Sequence, residues 1–327
     1  MSEKFDPLKI NFLYRALISD ANLSEKLSIF PHEISRFAYN KIRLQEIQDF
    51  ITGQKETGKR AVLLFAHDND YPISTFLQGS PIVFRYSMSK NHSYIAEHMI
   101  PTNVTQFALT AASKVKKSCG QRPQVSFMGW SGILKPIGTS QPAEEVFEKD
   151  QISNSRGLIS PLIFPTPANI GVVLRHRAID TINKDSRIDS NFKVHDNYFY
   201  HHSESFKLKM RQEYINSICN SHYVLAFRGC GNYSIRLFEA MSAGRIPVML
   251  DTNQHLPFED FIPWHELGVW LPLNQLDSVG ERIVEKHQGF DQSKFNGATA
   301  SIEEIYNDHL SRNAVIMHIK RILESYL

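Results

Sequence analysis

A chain of 327 residues is too long for one typical compact core, and two domains are expected. Hydrophobic side chains at 42% and charged ones at 21% exclude disorder over any large stretch. The formal charge of +2 excludes a dedicated nucleic-acid binder, which carries a concentrated basic excess, and permits a local positive pocket for a phosphorylated ligand.

Residues 1–20 mix charges with short apolar runs and hold no signal-peptide core. No run approaches the ~20 apolar residues that a membrane-spanning helix needs. A soluble, cytoplasmic protein is expected, with membrane contact at most peripheral. Short apolar runs then recur at 61–66 (AVLLFA), 81–84 (PIVF), 125–128 (VSFM), 171–174 (GVVL), 223–227 (YVLAF), 246–250 (IPVML) and 269–271 (VWL). Continuous rather than alternating apolarity predicts strands of a parallel sheet covered on both faces. Segments 205–220 and 234–243 carry helical periodicity, and the alternation of strand and helix gives the fold class α/β. Between them, Lys114, Lys116 and Lys117 close a helix from about Thr105; their place in the last turn suits the helix dipole, and a membrane-facing patch is the alternative. The sequence SCGQRPQ at 118–124 then breaks the chain into a first domain, 1–120, and a second, 121–327. Residues 130–167 are rich in Gly, Pro and Ser and read as loop. Residues 301–327 read as one or two amphipathic helices, with the last able to pack back on the first domain. Cys119, Cys219 and Cys230 have no pairing rhythm and fit a reducing compartment.

The informative stretch is 214–270. A buried strand ends at Arg228-Gly229-Cys230-Gly231, and a new helix opens near Ser234 with Arg236 and Glu239 on its first turns. In open α/β sheets ligands lie beyond the carboxyl ends of strands. Gly229 and Gly231 allow a sharp turn and a close backbone approach. The helix start offers unpaired N–H groups and a positive dipole end, which suits phosphate. Arg228 and Arg236 add permanent charge, and Ser234 can cap the helix or donate its hydroxyl to the phosphate. Glu239 shares the face of Arg236 and suits ribose hydroxyls. A nucleoside diphosphate is the ligand these residues describe; a purely structural turn with a helix-surface ion pair is the alternative. A dinucleotide oxidoreductase does not fit, because no third glycine follows Gly231 at the required place.

The same block resembles the exostosin family of glycosyltransferases: Arg228-Gly229, Ser234-x-Arg236, Glu239-Ala240, Gly244-x-x-Pro247-Val248, Leu256-Pro257-Phe258 and Trp264 follow that family's pattern in order. Arg245 departs from it, where a Cys often follows the glycine. Upstream, Phe65-Ala66-His67-Asp68 with Tyr71-Pro72, and Ser126-Phe127-Met128-Gly129, are similar to strand ends in the family. The resemblance implies a GT-B-like architecture, two Rossmann-like domains facing across a cleft. It implies a nucleotide-sugar donor, usually a uridine diphosphate (UDP) sugar, a glycan or glycolipid acceptor, inversion at the anomeric carbon, and no metal or other cofactor. A bacterial or viral enzyme of surface-polysaccharide synthesis is the expected setting. A non-catalytic sugar-nucleotide or glycan-binding module is the alternative.

An inverting transfer needs a general base on the acceptor hydroxyl. Asp68, then His67, are the candidates on the first-domain loop, with Asp70 beside them; Asp-Asn-Asp is also ordinary turn chemistry. Arg175, with His176 and Arg177, follows the run at 171–174, where a phosphate or base contact and a solvated loop are equal alternatives. His195, Asp196, His201 and His202 fit no usual zinc spacing; structural histidines beside the aromatic run Tyr198, Phe199 and Tyr200 are the better reading.

Overall fold

The structure, a computed structural model, describes residues 20–32, 34–35, 41–66, 68, 70–75, 77–102, 118–131, 168–195, 203–229 and 231–327. His67, Lys114, Lys116, Lys117, Asp196, Tyr198, Phe199, Tyr200, His201, His202 and Cys230 lie outside the described residues.

The first sheet holds β1 (Leu27–Ile29), β2 (Ile34–Ser35), β3 (Arg60–Ala66), β4 (Ile82–Arg85) and β5 (Glu97–Met99), in the order β1-β3-β4-β5 with β2 also on β3. Every pairing is parallel. The run AVLLFA is apolar throughout because both of its faces are covered. Ala61, Leu63 and Phe65 meet Ile47 and Ile51 of helix α2 (Lys41–Glu56), while Val62 and Leu64 face the other way. A short α1 (Ala21–Lys26), capped by the Asp20 carboxylate on the Asn22 and Leu23 amides, leads into β1.

The second sheet runs β10-β9-β8-β6-β7, again all parallel: β6 (Gln124–Trp130), β7 (Asp189–His195), β8 (Tyr223–Leu225), β9 (Ile246–Asp251) and β10 (Val269–Pro272). From β6 the chain goes to β7 on one side and later to β8 on the other. The strand order therefore reverses between β6 and β8, the crevice where open sheets of this kind take their ligands. The fold class is α/β with two parallel sheets, as the apolar runs led us to expect.

One expected strand is a helix. Residues 171–174 lie inside α3 (Ala168–Lys184), which buries Val172, Leu174, Ala178, Ile179 and Ile182 against the second core. Four apolar residues cannot separate a strand from a buried helical turn; the spacing of the following apolar positions decides for the helix. Arg175, His176 and Arg177 are thus helical rather than part of a strand-end loop.

The second sheet is further covered by α4 (Glu204–Cys219), α5 (Ile235–Ser242), α6 (Val279–Gln288) and α7 (Gln292–Ile305). Ser203 caps α4 through its hydroxyl, 3.3 Å from the Phe206 amide. After α7 a π-helical turn, Tyr306–Leu310, redirects the chain into α8 (Arg312–Glu324). Val315, Ile319 and Leu323 of α8 pack among Leu23, Leu27, Val62, Leu64, Ile82 and Phe84. The second face of the first sheet is therefore closed by the end of the chain. A hydrogen bond between His98 and the Tyr326 hydroxyl, 2.8 Å, and an ion pair between Lys320 and Asp20, 2.8 Å, hold it there.

Candidate functional site

The segment 226–234 leaves β8 at the reversal point. Ala226 still donates to the Val248 carbonyl at 2.9 Å, after which the chain turns through 228–233 into α5. Ser234 occupies the N-cap position with extended backbone (φ −139°, ψ 119°), yet its hydroxyl makes no capping bond. That oxygen is buried and has no protein partner, so it is a donor held at the mouth of α5. It lines a cavity of about 10 Å³ with Arg228 and Asn232.

Three arginines converge here. Arg175, buried on α3, donates to the carbonyls of Trp130 and Phe227, both at 3.2 Å, and so spans the ends of β6 and β8. Arg228 is buried in the turn itself. Arg236, on the first turn of α5, donates to the Met128 carbonyl at 3.0 Å and lies 4.4 Å from the centroid of the Phe127 ring. Phe127 carries Arg175 at 5.7 Å as well, so one aromatic ring supports two guanidinium groups. Among the described residues no carboxylate lies within ion-pair distance of Arg236, and its Nε is buried without a partner. Arg177, by contrast, points away and pairs with Asp277 at 2.6 Å.

Two glycines make this convergence possible. A Cβ at Gly129 would collide with the Arg236 guanidinium, and Gly129 also sits at φ +153°. A Cβ at Gly231 would lie 2.8 Å from the Asp68 carboxylate. Neither Gly229 nor Gly231 uses left-handed backbone; what Gly231 provides is room. The contact is informative because Asp68 follows β3 of the first sheet. The expected base candidate and the expected donor loop, on opposite halves of the chain, meet at Gly231.

Glu239 behaves differently from the open-mouthed carboxylate its position on α5 suggested. It is 1% exposed and accepts from Arg211 at 2.7 Å and from the Tyr214 hydroxyl, both on α4. Burial, and then the neighbouring Glu239 charge, push the Tyr214 hydroxyl well above its ordinary range, which keeps it a donor. Sequence reading missed Arg211, Tyr214, Phe127 and Gly129. No local pattern marks the first two, whereas Phe127 and Gly129 lay inside the Ser126–Gly129 strand end already singled out.

The rest of the motif is scaffold. The Trp264 indole donates to the Pro257 carbonyl at 2.9 Å, and Phe258, with φ at +55°, stacks on His318 at 4.0 Å. Arg245, the residue that departs from the family pattern, is buried and donates to the Cys219 carbonyl at the end of α4, 2.9 Å away; desolvation lowers its pKa below the usual guanidinium value. Cys119 and Cys219 are buried thiols. His195 ends β7 at the same sheet edge. No group of three or more possible metal ligands occurs among the described residues, and no described helix is long and apolar enough to cross a membrane.

Residues 166–286 match the family model described as the Exostosin GT47 domain. Exostosin-1 of Drosophila melanogaster is 32% identical over 87 residues, which are 27% of this chain and 10% of that protein, so the chain spans a tenth of its length. Among solved structures, a glycosyltransferase from Rickettsia africae aligns over 99% of this chain and 83% of its own at 10% identity, with a TM-score of 0.43. TarM aligns over 86% of this chain and 57% of its own at 9% identity, with a TM-score of 0.37. The matched segment starts just before α3 and ends in α6, enclosing Arg175, the turn at 228–233 and Glu239. Over residues 166–286, then, the chain is similar to the Exostosin GT47 domain.

Proposed function

We propose that this chain is an inverting glycosyltransferase that moves a sugar from a nucleotide-sugar donor, a UDP-sugar by preference, to a hydroxyl of a glycan or glycolipid. The observation that carries this reading is Arg236: a half-buried cation without a carboxylate partner, held at the reversal point of a parallel sheet beside the start of α5. A diphosphate supplies the missing anion. Its oxygens would meet Arg236, Arg228, the Ser234 hydroxyl and the first amides of α5, while Glu239, buried on Arg211 and Tyr214, braces α5 from behind.

The chemistry then runs in line. The acceptor hydroxyl oxygen attacks the anomeric carbon from the side facing the first domain, and its proton passes to the Asp68 carboxylate. The bond from that carbon to the diphosphate oxygen breaks, its electron pair leaves on the diphosphate, and the configuration inverts. Guanidinium groups and helix dipole stabilise the departing charge, so the reading requires no divalent cation. Action at the cytoplasmic side of surface-polysaccharide assembly belongs to the same reading.

A thermal-shift panel of nucleoside diphosphates and their sugars tests it, because a ligand that binds only the folded state raises the melting temperature. We expect UDP and one UDP-sugar to shift the transition in the presence of EDTA. A flat panel, or binding that appears only with Mg²⁺ or Mn²⁺, would remove the proposed site.

A further inference from the structure

Two continuous hydrogen-bond routes join the donor loop to the loop that carries Asp68. The first starts at Asn232, fully buried, whose backbone amide donates to the Ser87 hydroxyl at 2.9 Å. The Ser87 carbonyl accepts from Arg85 Nε at 2.8 Å, and Arg85 Nη1 donates to the Tyr71 carbonyl at 2.7 Å. Arg85 is locked in this role by Glu97, a pair with 0% side-chain exposure on both partners. The second route leaves the Asn232 side chain, which reaches the Met88 carbonyl at 3.5 Å. One residue on, the Ser89 amide donates to the Tyr94 hydroxyl at 2.8 Å, and that hydroxyl donates to the Asp70 carbonyl. Both routes end two or three residues beyond Asp68.

The segment 87–90 is also fixed to the second half independently. Ser89 bridges Gln254, Lys90 donates to the Asn253 carbonyl at 2.6 Å, and the Asn232 and Thr252 side chains are joined at 2.7 Å. Ser87, Arg85, Glu97, Tyr94, Asn232 and Thr252 each make at least one of these bonds, and a buried network so connected favours one geometry.

We infer that Ser87, Tyr94 and Asn232 are positioning residues: they bolt the donor loop of the second domain to the Asp68 loop of the first, so that base and donor keep one fixed separation. The inference rests on the glycosyl-transfer reading for its consequence and on geometry alone for its existence. None of these side chains need touch the reacting atoms. Transfer needs the attacking oxygen close to both the base and the anomeric carbon, and a displacement of about an ångström there costs on the order of a hundredfold in rate.

Hydrogen exchange on the full chain tests the bolt, with UDP as the probe. In Ser87→Ala, amides of 70–75 and of 231–234 are both expected to exchange about fivefold or more faster, the factor that one lost hydrogen bond sets, while 61–65 stays protected. Ser87→Thr, which keeps the hydroxyl, should restore both. Tyr94→Phe, which keeps the ring and removes only the hydroxyl, should loosen 70–75 and 231–234 together although Tyr94 bonds only the first. In the parent protein bound UDP should slow exchange at 70–75 as well as at 231–234. In Tyr94→Phe it should still bind within about threefold of the parent affinity but protect only 231–234. Loosening confined to the mutated side, or no protection of 70–75 in the UDP-bound parent, would overturn the inference. Absence of UDP binding would instead sink the sugar-nucleotide reading, and the ligand-free exchange of the variants would still decide the bolt.

Discussion

Arg85 in the first half and Arg236 in the second show what the same side chain does under two charge balances. Arg85 is 0% exposed and pairs with Glu97, so its charge is neutralised inside the protein. Its remaining donors organise backbone, at Ser87 and Tyr71. Arg236 also donates to a strand-end carbonyl, at Met128, and lies over the ring faces of Phe127 and Tyr214; no carboxylate lies within ion-pair distance among the described residues. A neutralised buried arginine is architecture. An unneutralised one at a strand-reversal crevice is a binding group, because desolvating a charge without a partner is expensive unless a ligand supplies the counter-charge.

The largest effect should come from breaking the neutralised pair. Glu97→Ala leaves Arg85 buried and unpaired, and removing one member of such a pair costs about 3–5 kcal/mol. Chemical denaturation should show that loss, with nucleotide affinity of the remaining folded protein unchanged. If Glu97→Ala unfolds normally and instead loses nucleotide, the two arginines have been assigned the wrong way round.

The second largest effect tests the meeting of the two halves at Gly231. Asp68→Asn preserves shape but cannot accept a proton, so turnover should fall by ~10²-fold or more, the scale of a general base. UDP affinity measured by calorimetry should hardly change. Turnover near the parental rate would move the base to His67 or to the substrate.

How much of this was legible in the sequence depended on whether a residue's environment leaves a local trace. The strand AVLLFA was legible because α2 and α8 cover both of its faces and every position had to be apolar. β7, with the sequence DSNFKVH, was not: it lies at a sheet edge and is largely exposed, so nothing demanded apolar residues there. The run GVVL misled because four apolar residues do not reveal their period. In the site, the arginines and glycines were visible as a short spacing, whereas their supports were not. Arg236 meets Met128 across 108 positions, and Glu239 meets Arg211 across 28. Contacts of that separation are set by the strand order, which no local pattern encodes.

Next in size is Arg236→Ala. It removes one charge-assisted contact to the diphosphate, worth about 1.5–3 kcal/mol of affinity. Unlike Glu97→Ala it should leave thermal stability nearly unchanged, since it relieves an unneutralised charge as it gives up one carbonyl contact. Equal UDP affinity in parent and variant would remove the distinction between the two arginines.

The smallest effect concerns the joint where the halves are held by α8. His318 is buried against Phe258, and desolvation, followed by the charges of His309 and Arg321, lowers its pKa to about 4. His98, hydrogen-bonded to Tyr326 at the other end of the helix, is lowered to about 4 by burial and by Arg60. Both groups are neutral in the folded chain and more basic when it unfolds. As pH drops below the unfolded value of 6.5, the unfolded state takes up protons that the folded state refuses, so stability is lost between pH 6.5 and 4 and levels off below that. One such histidine accounts for about 1 kcal/mol at pH 5.5. His318→Gln should flatten that part of the stability profile, and exchange at pH 5.5 should rise first in α8 and at 306–310, before β3. Burial raises the Glu97 pKa, the opposite sense, so acid should loosen the joint ahead of the first core; the second core holds His287, whose pKa burial also lowers, beside Tyr223 of β8. A profile that is flat from pH 7 to 5, or one in which β3 loosens together with α8, would show that the histidines are not what limits the joint.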